Sequence, residues 1–287
     1  MEPAKWRTTM LATARFAAVK LVLRPTRRRR AVAAIDLNVN LGEGRAHDDA
    51  LMTYATSINI ACGWHAGDPT TMHRTASAAL ARDIAIGANP SYPGRAHCGR
   101  PSSEMDRDDL CAGIQYQIGA LGGIVKALGG RLAHVKPHGA LYNDAEHDAS
   151  IADVVVAAVR RVDPSLALYG LSGGHLVAKA REAGLVAIAE TFADRRYRPD
   201  GTLVPCSEPD AFIDDPGHIA RRTKDIVVAG RLQADDGSWI SITAQSLSLH
   251  GHGHHAVAFA REIHAALRSA SCTLRPPIRV DTRSAIP

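Results

Sequence analysis

The chain has 287 residues, 46% hydrophobic and 22% charged, which suits one large globular domain or two small ones. Its net charge of +5 arises in residues 1–34, which hold nine basic residues and one acidic residue. The other 253 residues hold 25 basic and 28 acidic residues, a net charge of −3, so the body shows no strong electrostatic sign of nucleic-acid binding and we expect no nucleic-acid partner. No run of 18 apolar residues occurs, so we predict no transmembrane helix and no membrane partner.

Residues 1–34 differ in composition from the rest of the chain. They are basic, nearly free of acids and partly amphipathic, and Arg27 to Arg30 follow the apolar run rather than precede it as in a secretory signal. A targeting segment and a basic arm for nucleic acid or membrane are alternatives. We expect a disordered basic extension, because runs of like charge are usually solvated tails.

The five cysteines are widely spaced, odd in number and without a CxxC pair. This pattern indicates reduced thiols in a cytoplasmic protein rather than a disulfide framework.

From residue 31 onward, short apolar runs alternate with helical patterns. Their type and length are typical of strands covered on both faces. In chain order we predict a strand at 31–38, a strand at 57–63, a helix from 69, a strand at 83–91, a helix at 106–128, a strand at 132–139, a helix at 150–163, a strand at 166–173, a helix at 175–184, a strand at 185–194, a helix at 216–230, a strand at 240–251 and a last helix from about 253.

Capping residues support the helix boundaries. Asp68 followed by Pro69 is a favourable start, and Gly129, Gly184 and Gly230 are favourable stops. Seven strands alternating with helices predict an α/β protein with a mostly parallel sheet, either open or closed into a barrel. No GxGxxG or GxxxxGK[ST] motif follows the first strand, so a dinucleotide or P-loop site is not expected.

Polar residues gather at the carboxyl ends of six of the seven predicted strands, where α/β barrels build their active sites. They are Asp36, Asn38, Asn40 and Glu43; Asn59, Cys62 and His65; Asn89 and Ser91; Lys136 and His138; Glu190, Asp194 and Arg195; Gln245, Ser248 and His250. Lys136 is the hardest to explain by packing alone, because an unpaired buried ammonium is costly. A structural ion pair with Glu190 is the alternative to a functional role.

Four histidines lie close together in the segment LHGHGHH, at positions 250, 252, 254 and 255. Such a tract can bind divalent metal, and Asp36 and His65 are candidate further ligands. The ligand number and geometry of a closed site are not visible in this pattern, so we favour the absence of a tightly bound metal.

Seven segments, in order, resemble those of the LamB/YcsF family. They are IDLNVNLGEG, SINIACGWHAGDPTTM, AIGANPSYPGR, YQIGALGGI, HVKPHGALYN, ETFADRRYRPDGTLVP and LHGHGHHAVAFA. The resemblance implies a (β/α) barrel of about seven strands related to polysaccharide deacetylase barrels. It runs from about Ile35 to Leu267, and we expect a single barrel domain at 35–270 before a flexible tail at 271–287.

The same resemblance implies an activity and partners. The family's bacterial members form one component of a multi-subunit 5-oxoprolinase, which opens 5-oxoproline (pyroglutamate) to L-glutamate using ATP with Mg²⁺. The resemblance therefore also implies two partner subunits, B and C.

The chemistry of this reaction suggests roles for the matching residues. Cations are needed for phosphate and oxyanion, a carboxylate for activating water and a histidine for protonating the ring nitrogen. We expect Asp36, Lys136, His138 and Glu190 to be catalytic. We expect Asn38, His65, Asn89, Asp194, Arg195 and His250 to bind substrate.

The chain departs from the family pattern at five positions. Asn40 and His252 replace aspartates, Asn89 replaces a histidine, Gly94 replaces an aspartate and Cys206 replaces an arginine. Two alternatives therefore stay open. One is a metal-dependent amide or carbohydrate deacetylase, and the other is a non-catalytic binding subunit.

Overall fold

The computed structural model describes residues 34–251 and 255–278. This part of the chain excludes the predicted extension up to residue 33, His252, His254, and the end of the predicted tail from residue 279.

The strands are β1 (Ala34–Leu41), β2 (Ser57–Ala61), β3 (Ala85–Asn89), β4 (His134–Val135), β5 (Ala167–Leu171), β6 (Ala187–Phe192), β7 (Arg231–Gln233), β8 (Trp239–Ser241), β9 (Ser246–Leu249) and β10 (Thr273–Leu274). The α-helices are α1 (Asp48–Met52), α2 (Pro69–Leu80), α3 (Arg107–Ala127), α4 (Gly139–His147), α5 (Ala149–Val162), α6 (His175–Glu182), α7 (Pro216–Lys224) and α8 (Ala256–Ser269).

Seven parallel strands close into a barrel in the order β1-β2-β3-β4-β5-β6-β9. Closure is made by β1, which pairs with β2 on one side and β9 on the other. Asn38 lies opposite both Ser57 of β2 and Ser248 of β9. The predicted (β/α) barrel of seven strands is therefore confirmed, and the open sheet is excluded.

The two faces of the barrel wall differ in chemistry because successive side chains of a strand point to opposite sides. Outward residues such as Leu37, Val39 and Ile58 are fully buried against the surrounding helices and form the main hydrophobic core. Inward residues such as Asp36 and Asn38 are equally buried but polar. The barrel interior is thus a hydrogen-bonded network, and it leads upward to the carboxyl ends of the strands.

Helix termini follow the predicted capping chemistry. The Asp68 carboxylate accepts a hydrogen bond from the Thr71 amide at 2.9 Å, which satisfies a free amide in the first turn of α2. Helix α7 continues into a π-helical turn at Asp225–Ala229 and stops at Gly230, whose φ of 63° favours glycine.

Several short elements are not predicted by the sequence pattern. The predicted strand at 240–251 is divided into β8, which pairs with β7 in an antiparallel hairpin, and β9. The elements without a prediction are α1, α4, β7 and β10. Each has too few residues to show a repeating apolar pattern.

Strand β10 also corrects the predicted tail. Thr273 and Leu274 pair with Ala34 and Ile35 of β1, so the barrel domain extends beyond residue 270.

Within the described residues, no helix is long and apolar enough to cross a membrane. All five cysteines lie in this part of the chain and are free thiols.

Candidate active site

A cleft opens at the carboxyl ends of the barrel strands, with an empty volume of about 780 Å³ that includes the part open to solvent. Its ionisable and polar lining includes Asn40, Glu43, Lys136, His138, Arg195 and His250. These residues lie at or just after the ends of four different strands, so closure of the barrel brings them together.

Lys136 lies at the floor of the cleft, just after β4, and is 2% exposed. Its Nζ donates to Glu190 Oε2 at 2.6 Å, to Asn38 Oδ1 at 3.3 Å and to the Ser248 hydroxyl. Nζ also lies 4.8 Å from the centre of the Phe192 ring. The predicted Lys136–Glu190 pair is therefore present, and its ammonium is one of the cationic groups that line the cleft.

Tyr142 of α4 covers the Lys136–Glu190 pair from the cleft wall. Burial raises the pKa of its phenol well above the usual value, and the Glu190 carboxylate raises it further. Tyr142 is therefore neutral, with its ring centre 5.9 Å from the Lys136 Nζ.

Asp194 and His250 form a second polar pair, and the His250 ring stacks on the Phe192 ring with ring centres 5.4 Å apart. Asp194 Oδ2 accepts from His250 Nδ1 at 3.0 Å and from the His250 amide at 3.1 Å. Burial opposes ionisation of Asp194, but the charge and hydrogen bonds of His250 outweigh it and keep the pKa of Asp194 below its usual value. The His250 imidazole is thus held by an ionised carboxylate, with its ring lining the cleft.

Arg195 contributes a guanidinium to the cleft wall and is 3% exposed. Its guanidinium donates to the carbonyls of Ala211 and Val204 and stacks on the Phe212 ring, with its Cζ 4.9 Å from the ring centre. The loop after β6 therefore holds this cation in place.

Asp36 lies away from the cleft, near the amino end of β1. Four hydroxyl groups donate to its carboxylate, from Thr56 at 2.6 Å, Ser57 at 2.8 Å, Ser246 at 2.8 Å and Tyr169 at 3.0 Å. Burial raises its pKa, and these hydrogen bonds lower it in part. This fully satisfied position favours a structural role over the predicted catalytic one.

Asn38 and Asn89 also serve the interior network. The Asn38 amide donates to Ser57 Oγ at 2.7 Å, and its oxygen accepts from Asn59 at 2.5 Å. The Asn89 amide donates to the Lys136 carbonyl at 2.7 Å. Both side chains are fully buried, and each is hydrogen-bonded to Lys136, Asn38 to its ammonium and Asn89 to its carbonyl.

His65 and His138 stack face to face with ring centres 3.8 Å apart. Burial lowers the pKa of His65 to about 2 with help from His138, and burial lowers the pKa of His138 to about 4. Both rings are therefore neutral near pH 7. A carboxylate oxygen of Glu43 lies within 4.8 Å of a ring nitrogen of each.

Several cleft residues are absent from the predicted site. They are Glu43, Arg45, Arg100, Tyr142 and Phe192. Glu43 is visible in the sequence as the last polar residue after the first strand. Tyr142 lies on α4, whose short pattern gives no signal, and Phe192 is indistinguishable in sequence from an ordinary strand residue.

Two substituted positions of the family pattern line the cleft. Asn40 lines it and accepts from Asn59 at 2.8 Å, and the exposed Cys206 lines its outer edge. Gly94 has a φ of 149° and follows the segment after β3.

A closed parallel barrel with charged and titratable side chains at the carboxyl ends of its strands is the arrangement of (β/α)-barrel enzymes. This defines the class of protein to which the fold and the cleft belong.

The chain belongs to the LamB/YcsF family, which it matches over residues 35–282. It is similar to the crystal structure of a lactam utilization protein from Thermus thermophilus, with 36% identity and a TM-score of 0.80. That match covers 84% of this chain and 99% of the other.

Two further likenesses concern the fold. A candidate cellobiose-phosphate cleavage protein from Enterococcus faecalis has 11% identity and a TM-score of 0.50, covering 84% of this chain and 96% of the other. A family 4 carbohydrate esterase from Streptomyces lividans has 10% identity and a TM-score of 0.43, covering 89% and 98%. The first supports the barrel fold, and the second is too distant to carry an argument.

Proposed function

We propose that this chain opens the lactam ring of 5-oxoproline to give L-glutamate, as the LamB/YcsF component of an ATP-dependent 5-oxoprolinase with partner subunits B and C. Membership of the LamB/YcsF family and similarity to a lactam utilization protein support this proposal. The five free thiols suit action in the cytoplasm.

The observation that carries the proposal is the position of two polar pairs around one cleft. The Lys136 ammonium at the cleft floor supplies positive charge, and the Asp194–His250 pair supplies an oriented imidazole. An unstrained amide resists attack by water, so its carbonyl oxygen must be stabilised as negative charge develops on it. Transfer of the γ-phosphoryl group of ATP to this oxygen, with Mg²⁺ bound and ADP released, would make the carbonyl carbon easier for water to attack, and hydrolysis would later release the phosphate.

Each pair then has a defined task. Lys136 and Arg195 balance the negative charge of the phosphate and of the oxyanion. His250, held by Asp194, gives a proton to the ring nitrogen as the C–N bond breaks. Glu190 keeps Lys136 in place, and because Asp36 is held by four hydroxyls, Glu190 is the other predicted carboxylate that can accept a proton from water.

The test is glutamate release from 5-oxoproline by the full chain with subunits B and C, with and without ATP. We expect ATP-dependent release, reduced about 100-fold or more in His250→Asn because a general acid contributes at least that factor. His73→Asn, on the exposed face of α2, is the matched control and should be unchanged.

Two outcomes would contradict the proposal. One is the absence of glutamate when the same partners are active with another LamB/YcsF protein, which would indicate a binding subunit. The other is full release without ATP, which would indicate an ATP-independent amide hydrolase.

A further inference from the structure

Glu43, His65 and His138 meet on the cleft wall. They follow three different strands, β1, β2 and β4, and one ligand atom from each lies within 4.8 Å of the others. Glu43 and His138 line the cleft, whereas His65 is buried behind them. The hydrogen bonds around the two rings show which nitrogen of each ring carries a proton and which carries a lone pair.

The hydrogen bond between His65 and Ser91 determines which nitrogen of His65 carries the proton. The Ser91 hydroxyl donates to the Tyr92 carbonyl at 2.8 Å, so its oxygen is left to accept from His65 Nδ1 at 2.9 Å. Nδ1 therefore carries the proton, and Nε2 carries a lone pair. That Nε2 is buried and has no hydrogen-bond partner among residues 34–251 and 255–278.

The hydrogen bond between His138 and the Cys98 carbonyl determines which nitrogen of His138 carries the proton. The Cys98 carbonyl can only accept, so His138 Nε2 donates to it at 3.1 Å. His138 Nδ1 is left with a lone pair. It too is buried, and nothing within the described part of the chain donates to it.

Glu43 completes a set made only of acceptors. Arg45 Nε donates to Glu43 Oε2 at 3.0 Å, which orients the carboxylate. Two buried lone pairs without donors cost free energy unless another group binds them. A cation satisfies all three acceptors at once.

We propose that Glu43, His65 and His138 bind one divalent first-row metal ion such as Zn²⁺, with an open coordination position toward the cleft. Two imidazole nitrogens and one carboxylate are a ligand set of catalytic zinc sites, which keep a position for water or a substrate oxygen. The hydrogen bonds from the rings to Ser91 and to the Cys98 carbonyl are the outer contacts that orient such ligands.

This assignment differs from the expectation from sequence, which favours no tightly bound metal and considers Asp36 and the histidine tract as ligands. Asp36 already accepts four hydroxyl hydrogen bonds, and His250 Nδ1 is engaged by Asp194. Neither belongs to the proposed ligand set.

The test is calorimetric titration of Zn²⁺ into the metal-free full chain, without ATP, 5-oxoproline or partner subunits, so that its result is independent of the lactam reaction. We expect one equivalent of Zn²⁺ to bind. His65→Ala, His138→Ala and Glu43→Gln should each bind it at least about 10–100-fold more weakly, the factor seen even for outer contacts. The control is the triple variant His252→Ala/His254→Ala/His255→Ala, which should bind as the unmodified chain does.

A second variant separates a metal site from a merely structural cluster. Ser91→Ala keeps all three ligands but removes the acceptor that orients His65, so Zn²⁺ affinity should fall about 10–100-fold. Its Co²⁺ complex should show a shifted visible absorption spectrum. If His65→Ala or His138→Ala fails to fold, judged by circular dichroism, Glu43→Gln and Ser91→Ala decide the question.

The proposal is overturned if the unmodified chain binds no stoichiometric Zn²⁺. It is equally overturned if binding disappears in the triple variant but persists in the variants of the ligands and of Ser91, since the tract would then hold the ion.

Discussion

At the scale of single residues, the Lys136–Glu190 pair is sensitive to substitution, because both side chains are almost entirely buried. A buried ion pair is stabilised only while both partners remain, because either charge alone lacks compensation. Ser248 and Asn38 share the ammonium, and they come from β9 and β1. The Lys136 ammonium therefore links four strands of the barrel wall, β1, β4, β6 and β9.

We predict that Lys136→Met lowers the free energy of unfolding by about 3–5 kcal/mol, because it leaves the Glu190 carboxylate buried and unpaired. The double variant Lys136→Met/Glu190→Gln should recover part of this loss. Urea unfolding of both variants measures the two values. A double variant less stable than the single one would show that Glu190 does not depend on Lys136.

At the scale of elements, helix α3 contains two glycines in different surroundings. A Cβ at Gly113 would lie 2.0 Å from the Trp64 ring, so the absence of a side chain lets the loop before His65 pack on the helix. A Cβ at Gly119 would meet nothing within 4 Å. The same helix thus offers a site where glycine is needed for packing and one where it only weakens the helix.

We predict that Gly113→Ala destabilises the protein by about 1–3 kcal/mol through overpacking against Trp64. Its matched control, Gly119→Ala, should stabilise it by about 0.5–1 kcal/mol through helix propensity. Thermal and urea unfolding of the two variants would test this. Equal effects would mean that Trp64 moves aside without cost.

At the scale of the whole molecule, Glu146 joins helix α4 to the β5–α6 connection. Its Oε1 accepts from the Leu171 amide at 2.7 Å, and Gly174 packs so closely that a Cβ there would overlap Oε2. Burial raises its pKa to about 8, while the amides of Leu171 and Leu176 lower it in part. Near pH 7 the folded state therefore favours the protonated carboxyl.

We predict that stability falls as pH rises from about 5 to about 8, with a slope from Glu146 of at most about 1.4 kcal/mol per pH unit. In this range the folded state binds a proton at Glu146 that the unfolded state has released. The contribution is thus fully present below the ordinary pKa of 4.5 and lost as pH passes about 8.

Glu146→Gln should remove this slope, because the amide does not titrate while its oxygen can still accept from Leu171. Urea unfolding at several pH values compares it with the unmodified chain and with Glu182→Gln, an exposed control on α6. Parallel pH profiles for all three proteins would refute the assignment.

The sequence by itself determined the alternation of seven strands with helices, the capping of α2 at Asp68, and the polar character of the strand ends. These follow from apolar periodicity and local hydrogen bonding, which act within a few residues. It also indicated the Lys136–Glu190 pair, because a buried ammonium needs a partner.

Only the tertiary structure decided which strands are neighbours in the barrel and how far below the cleft each polar side chain lies. It placed Asp36 below the cleft among four hydroxyls, and it brought Glu43 to His65 and His138. Lys136 and Ser248 are 112 residues apart, so their contact depends on barrel closure and strand register rather than on local pattern. Residues two positions apart on a strand share a face but lie at different heights along the barrel axis. The sequence pattern shows the shared face and not the height, so it grouped Asp36 with residues of the cleft.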